Sequence, residues 1–186
     1  MRKITLIAHI SLDGFVAGEH GELDGFDASE ENLQFVTSLT ENADTALLGR
    51  KSYGMIDPYW STAKDIPNAT EGTLAYSIWY GNAKKVVISK TLAAEKKENT
   101  MIISDTVNEE IAKIKNGQGK DILIFGSPSI TQLLLSSALI DDYWIFINPV
   151  LFGKGIPLFV PSSNKANLKL IATKQFANGE LAMHFV

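Results

Sequence analysis

The chain contains no cysteine, which excludes disulfide frameworks, thiolate nucleophiles and cysteine-based zinc sites together. Histidines number only three, and His20 and His184 are too isolated to suggest a metal cluster, so no metal is expected. No apolar run approaches the roughly 18 residues that a membrane helix requires. The one stretch that could pass for a leader, Met1-Arg2-Lys3 followed by Ile4 to Ile10, is short and interrupted by His9. It stops at Ser11 and Asp13 without a small-residue cleavage pattern. It reads as a first strand, and the expectation is a cytoplasmic protein that does not engage a membrane. A surplus of positive charge is also missing. Lys and Arg total 17 against 21 Asp and Glu, giving a net charge of −4 and a pI near 5.4. No general field therefore attracts nucleic acid or anionic lipid, and any anionic ligand must meet a local basic cluster.

What is present suits one folded domain over residues 1–186, with 45% hydrophobic and 20% charged residues. From Lys3 to Ser11 apolar residues fall on both faces of an extended chain, as in a strand buried mid-sheet. Three further short apolar runs, Thr45 to Leu48, Lys85 to Ser89 and Asp121 to Phe125, each lead into turn or helix-start residues. Strands alternating with helices imply a largely parallel α/β sheet. Ser29 ahead of Glu30 and Glu31 signals a helix start, as do the capping-box spacing of Thr106 and Glu109, with Asn108 as the alternative cap, and the pair Ser127-Pro128. Residues 57 to 82 are irregular, with one helix expected around Glu71 to Tyr80. Beyond Leu139 the pattern turns strand-rich, and Asn178-Gly179 signals a two-residue hairpin turn.

Several segments place donors or a close-approach glycine just past a strand, where open α/β sheets bind ligands. Gly49-Arg50-Lys51-Ser52 joins a strand end to a helix start with two adjacent cations, suited to a phosphate or simply solvated. Ser89-Lys90-Thr91 offers two hydroxyls and a lysine, either a phosphate grip or a plain polar turn. Gly126-Ser127-Pro128-Ser129 allows a backbone to approach a ligand and then presents a helix N-terminus; it is neither a GxGxxG motif nor a P-loop. The aromatic set Tyr53, Tyr59, Trp60, Trp79 and Tyr80 could wall a flat heterocycle or pack a core.

Together with Ser11-Leu12-Asp13-Gly14 and the stretch from Leu139 through Pro149, Gly153 and Phe159, these segments follow a known order. The chain resembles the dihydrofolate reductase-like superfamily over nearly its whole length. Within it the resemblance is greatest to the reductase (C-terminal) domain family of riboflavin biosynthesis. The resemblance implies a three-layer α/β/α fold with a mixed, mostly parallel central sheet, and an NADPH pocket across the carboxyl ends of its strands. It implies that Ala8, His9, Val16 and Ala17 border the nicotinamide. Gly49, Arg50, Lys51 and Ser52 would hold phosphates, Ser89, Lys90 and Thr91 the adenosine end with its 2′-phosphate, and Gly126, Ser127, Pro128, Ser129 and Ile130 the diphosphate. Selection of NADPH over NADH would rest on Arg50, Lys51 and Lys90.

The same resemblance implies reduction of a small heterocycle of the pterin, pyrimidine or ribitylamino-pyrimidine class, and a homodimer formed through later strands such as Tyr143 to Ile147. Hydride transfer to a C=N or C=O carbon also needs a proton. Dihydrofolate reductases carry a carboxylate on the first helix, where this chain reads Asn32-Leu33-Gln34. That difference keeps a second function open, a nucleotide-binding module or ligand sensor without turnover. Asp57, followed by Pro58, is the candidate substrate-facing acid, its alternative being a helix-terminating turn. Asp13 is either a turn former or a catalytic carboxylate. His9 is expected to be satisfied within the sheet. Relatives carry Asp-Trp where this chain has Asp24-Gly25, which implies a wider substrate pocket.

Overall fold

Apolar residues on both faces of β1 (Ile4–Ser11) bury that strand in the middle of an eight-stranded sheet. The computed structural model describes residues 1–27, 29–92, 98–161 and 165–186. In chain order the remaining strands are β2 (Phe15–Ala17), β3 (Ala43–Gly49), β4 (Lys84–Ile88), β5 (Thr100–Ile103), β6 (Asp121–Phe125), β7 (Asp142–Asn148), β8 (Ile156–Pro157), β9 (Leu170–Gln175) and β10 (Leu181–Phe185). The helices are α1 (Glu30–Thr40), α2 (Arg50–Trp60), α3 (Glu71–Asn82), α4 (Val107–Asn116) and α5 (Pro128–Ser136). The main sheet runs β5-β4-β3-β6-β1-β7-β10-β9, and β2 pairs with β8 separately. All pairings from β5 to β7 are parallel, whereas β10 is antiparallel to both β7 and β9.

Alternation along β1 divides the interior into two cores. Ile4, Leu6, Ala8 and Ile10 pack with Ile111 of α4 and Ile130 and Leu134 of α5. Ile7 packs on the opposite face with Val36 of α1, Tyr53 of α2, and Tyr76 and Tyr80 of α3. The expected mixed, mostly parallel α/β/α arrangement is the one formed.

Some local expectations are corrected. Thr106 precedes α4 in a left-handed conformation (φ 46°) and its side chain caps nothing, so no capping box forms. The last hairpin has a three-residue loop: Phe176 N–H bonds Glu180 O, and Gly179, at φ 87°, donates its N–H to Phe176 O. A glycine in that left-handed position closes the three-residue form of the turn. Helix α2 does not stop at Asp57 but continues through Pro58 to Trp60, with Pro58 unable to donate a hydrogen bond to the Gly54 carbonyl one turn earlier. The aromatics of residues 53 to 80 are mostly core: Tyr53 and Tyr80 are buried, Trp60 and Trp79 pack on them, and only Tyr59 is exposed. Tyr143, Ile145 and Phe146 are buried within the chain because β7 lies between β1 and β10, so they offer no surface to a partner.

Candidate active site

Two helices open beside one another at the carboxyl ends of the central strands, and neither has a side-chain cap or an acidic residue in its first turn. Helices α1 and α3 differ: Ser29 and Thr70 cap them, and acids occupy their first turns. The unneutralised N-termini of α2 and α5 leave partial positive charge facing the same region. They are joined by an unexpected bond. Ser127 does not cap its own helix; its Oγ accepts the N–H of Gly49 at 2.9 Å. A Cβ on Gly49 would stand 2.5 Å from that oxygen, so the junction requires glycine by space alone. Gly126 is the converse: at φ 62° it meets nothing within 4 Å of where a Cβ would be, so its backbone is open to a ligand.

Arg50 and Lys51 are exposed at the start of α2, and Lys90 is exposed just past β4. None of the three forms an ion pair among the described residues. Ser89 is buried and its Oγ accepts N–H bonds from Thr91 (3.1 Å) and Leu92 (2.9 Å), which folds the turn that holds Lys90 outward. Cations without protein partners next to free helix N–H groups and an open glycine fit a phosphorylated dinucleotide. Not every expected residue can take part through its side chain. Ala8 and Ile130 are sealed in the core, and the Ile130 N–H is committed to Ser127 O. Ala17 is buried and Val16 packs on the core beside it, both held by the β2–β8 pairing.

The structure adds a carboxylate that sequence reading missed. Glu180, in the turn before β10, has its side chain 1% exposed, an expensive place for a charge unless it is paired. One oxygen lies 2.7 Å from His9 Nδ1, and the other accepts the Asn32 side-chain amide at 2.5 Å. The His9 ring stacks on Phe146, centroids 4.5 Å apart. Nδ1 of His9 is thus satisfied, by a residue 171 positions away. The only sequence signal for Glu180 is an acid directly after the Asn-Gly turn, too general to pick out.

Asp57 is not a cleft residue. It is 7% exposed, two turns into α2, with its carboxylate bonded to Tyr80 OH (3.3 Å) and Ser61 Oγ (3.1 Å). Burial raises the Tyr80 phenol far above its ordinary value, and the Asp57 charge raises it further, so that hydroxyl is a fixed donor. Asp57 therefore joins α2 to α3, and its burial and bonding there do not fit the expected substrate-facing acid. Asp13 serves the loops. Its carboxylate accepts from Ser11 Oγ at 2.6 Å and from the N–H groups of Phe152 (3.1 Å) and Gly153 (2.7 Å). The Ser11 hydroxyl first, then the Gly153 and Phe152 amides, hold its carboxyl below the ordinary range. Nor does Gly25 leave a void where relatives carry Trp: a Cβ there would overlap the Phe152 ring, which also meets Phe26 at 5.1 Å. Among the described residues no cluster suited to a metal ion occurs, and no helix is long and apolar enough to cross a membrane.

These features sit on a mixed, mostly parallel eight-stranded α/β sheet whose last hairpin returns a buried acid to β1. Residues 2–182 match the RibD C-terminal domain family, and the chain belongs to that family. It is 32% identical over 180 residues to the uncharacterized protein YyaP of Bacillus subtilis (strain 168), covering 96% of this chain and 91% of that one. A crystal structure of a pyrimidine reductase-like protein from Corynebacterium diphtheriae superposes with a TM-score of 0.67 at 16% identity, over 99% of this chain and 91% of the other. Dihydrofolate reductase from Enterococcus faecalis, complexed with NADP(H) and RAB-propyl, gives 0.65 at 15% identity, over 98% and 95%.

Proposed function

We propose that the protein is a cytoplasmic NADPH-dependent reductase that reduces a small heterocycle of the pterin, pyrimidine or ribitylamino-pyrimidine class. The observation that carries this reading is the pair of uncapped, acid-free helix N-termini locked together through Gly49 and Ser127, with Arg50, Lys51 and Lys90 around them forming no ion pair among the described residues. When bound, the reduced nicotinamide supplies the hydride. The N-termini of α2 and α5 hold the diphosphate, which the side-chain-free Gly126 allows to approach, Arg50 and Lys51 neutralise its charge, and Ser89, Lys90 and Thr91 meet the 2′-phosphate. The E. faecalis enzyme's complex with NADP(H) supports the choice of cofactor.

The test is an NADPH titration followed by hydride-transfer assays on dihydropterins and aminopyrimidines. Arg50→Ala is expected to weaken NADPH binding by about 1.5–3 kcal/mol with the fold intact, the scale of a charge-assisted hydrogen bond. An unchanged dissociation constant removes Arg50 from the site. Tight NADPH binding with no turnover across the panel identifies a binding module instead.

The reductase is further proposed to be a homodimer. Its contact is the outer edge of β9, since β7 is internal. Leu170 and Ile171 are about half exposed on that strand, which has one free side, and Leu168 is about half exposed just before it. Light scattering is expected to give twice the 20.3 kDa chain mass. A particle of the chain mass at micromolar concentration rejects the dimer.

A further inference from the structure

Strand β6 ends at Phe125, opposite Ile7 of β1, and the Gly126 N–H closes that row on Ile7 O at 2.8 Å. His9 lies two residues further along β1, past the end of β6 and on the α1 side of the sheet, where Phe146 is its neighbour on β7. One face of its ring is covered by Phe146, and Nδ1 is held by a carboxylate that is itself sealed from water. The side chain nevertheless remains 33% exposed. The polar atom left for that exposed edge is Nε2, which has no partner among the described residues.

A second histidine–carboxylate pair offers a comparison. His184 Nε2 bonds Asp142 at 2.8 Å and its ring stacks on Trp144. That pair lies one row nearer the amino end of β1, where Trp144 is opposite Ile7 and β6 still continues. Asp142 is also tied to Lys3 at 3.1 Å. Among the described residues Glu180 has no such cation; its side-chain partners are the Asn32 amide and the ring that reaches the carboxyl end of the sheet.

We propose that His9 is the catalytic acid of this site and that Glu180, anchored by Asn32, is the residue that positions it, an inference that rests on the reductase reading above. The last hairpin brings the Glu180 carboxylate to Asn32 of α1, at the height of the His9 ring. Glu180 fixes the ring with Nδ1–H toward itself, so that Nε2 is the nitrogen presented to a ligand. The Nε2–H of the doubly protonated ring passes its proton to a nitrogen or oxygen of the substrate, while the adjacent carbon accepts a hydride from the reduced nicotinamide. The C=N or C=O π bond is replaced by C–H and N–H or O–H bonds. The nicotinamide is oxidised, the substrate reduced, and the neutral ring takes its next proton from solvent at its exposed edge.

Imidazole nitrogen NMR on the ligand-free protein tests the pair first, with His184 as internal control. The His9 Nδ1–H signal is expected to be resolved and slow to exchange, and to be shifted by Glu180→Gln while the His184 signals stay in place. Added NADPH is expected to move the His9 ring signals and not those of His184. With NADPH and dihydrobiopterin as the probe, His9→Asn, which can still hydrogen-bond Glu180, is expected to lower kcat roughly a hundredfold, and Glu180→Gln about tenfold or more, with KM for NADPH little changed. A His9→Asn enzyme within about threefold of the native kcat overturns the proposal, as does a His9 signal indifferent to Glu180→Gln. If NADPH binds but dihydrobiopterin is not reduced, the NMR decides: His9 signals that move support the proposal, and static ones overturn it alone. Failure of NADPH to bind overturns the reductase reading and the proposal with it.

Discussion

Gly49→Ala is expected to weaken NADPH binding at least about tenfold while the chain still folds. The backbone at Gly49 (φ −79°, ψ 160°) is one that alanine adopts freely, so the effect comes from space alone. The new methyl carbon would stand 2.5 Å from Ser127 Oγ and 3.3 Å from Ile130 Cγ1. Ser127 cannot swing away without cost, because its oxygen accepts the buried Gly49 N–H. Breaking that bond leaves a sealed donor unsatisfied at about 1–3 kcal/mol, and keeping it forces α2 and α5 apart. Either way the two N-termini no longer converge on one diphosphate. Isothermal titration with NADPH measures the loss, and the double substitution Gly49→Ala with Ser127→Ala, which removes the clash, is expected to recover part of it. An unaltered dissociation constant in the single variant would show that the junction does not shape the cofactor site.

The second large effect is on stability. Phe146→Ala is expected to cost about 3–5 kcal/mol, the range for deleting a buried ring from a core that collapses only partly, and to lower the thermal midpoint by roughly 10 °C. Phe146 is 0% exposed and meets His9, Phe35, Trp144 and Phe176 at centroid distances of 4.5 to 6.4 Å. These rings come from β1, α1, β7 and the last hairpin, so one side chain joins the elements that also bring His9, Asn32 and Glu180 together. Chemical denaturation of the variant measures the loss. A cost under about 1 kcal/mol would mean that the neighbouring rings close over the gap, contrary to the close packing seen here.

The strand-to-helix turn proposed to bind the cofactor was legible in the sequence as a turn because its parts are local. A phosphate site at a strand-to-helix turn needs a glycine, a helix start and nearby cations within a few residues, and Gly49 with Arg50 and Lys51 meets that need in one segment. The junction between α2 and α5 was not legible. Ser127 beside Pro128 has the form of an N-cap, yet its hydroxyl serves Gly49, 78 residues away in the chain. Asp57 misled for a related reason: its spacing after Gly49 suits a cleft acid, but burial against Tyr80 of α3 decides its role.

By itself the sequence determined the family, the alternation of strands and helices, the burial of β1 and the basic character of the α2 entrance. All of these are set by periodicity, short motifs and local charge. Only the tertiary structure decided which acid reaches His9. The antiparallel hairpin of β9 and β10 folds back along β7, and this sets Glu180 beside a strand from the other end of the chain. A carboxylate so placed becomes buried and paired through contacts no local pattern encodes, because its partners, His9 and Asn32, are 171 and 148 residues away.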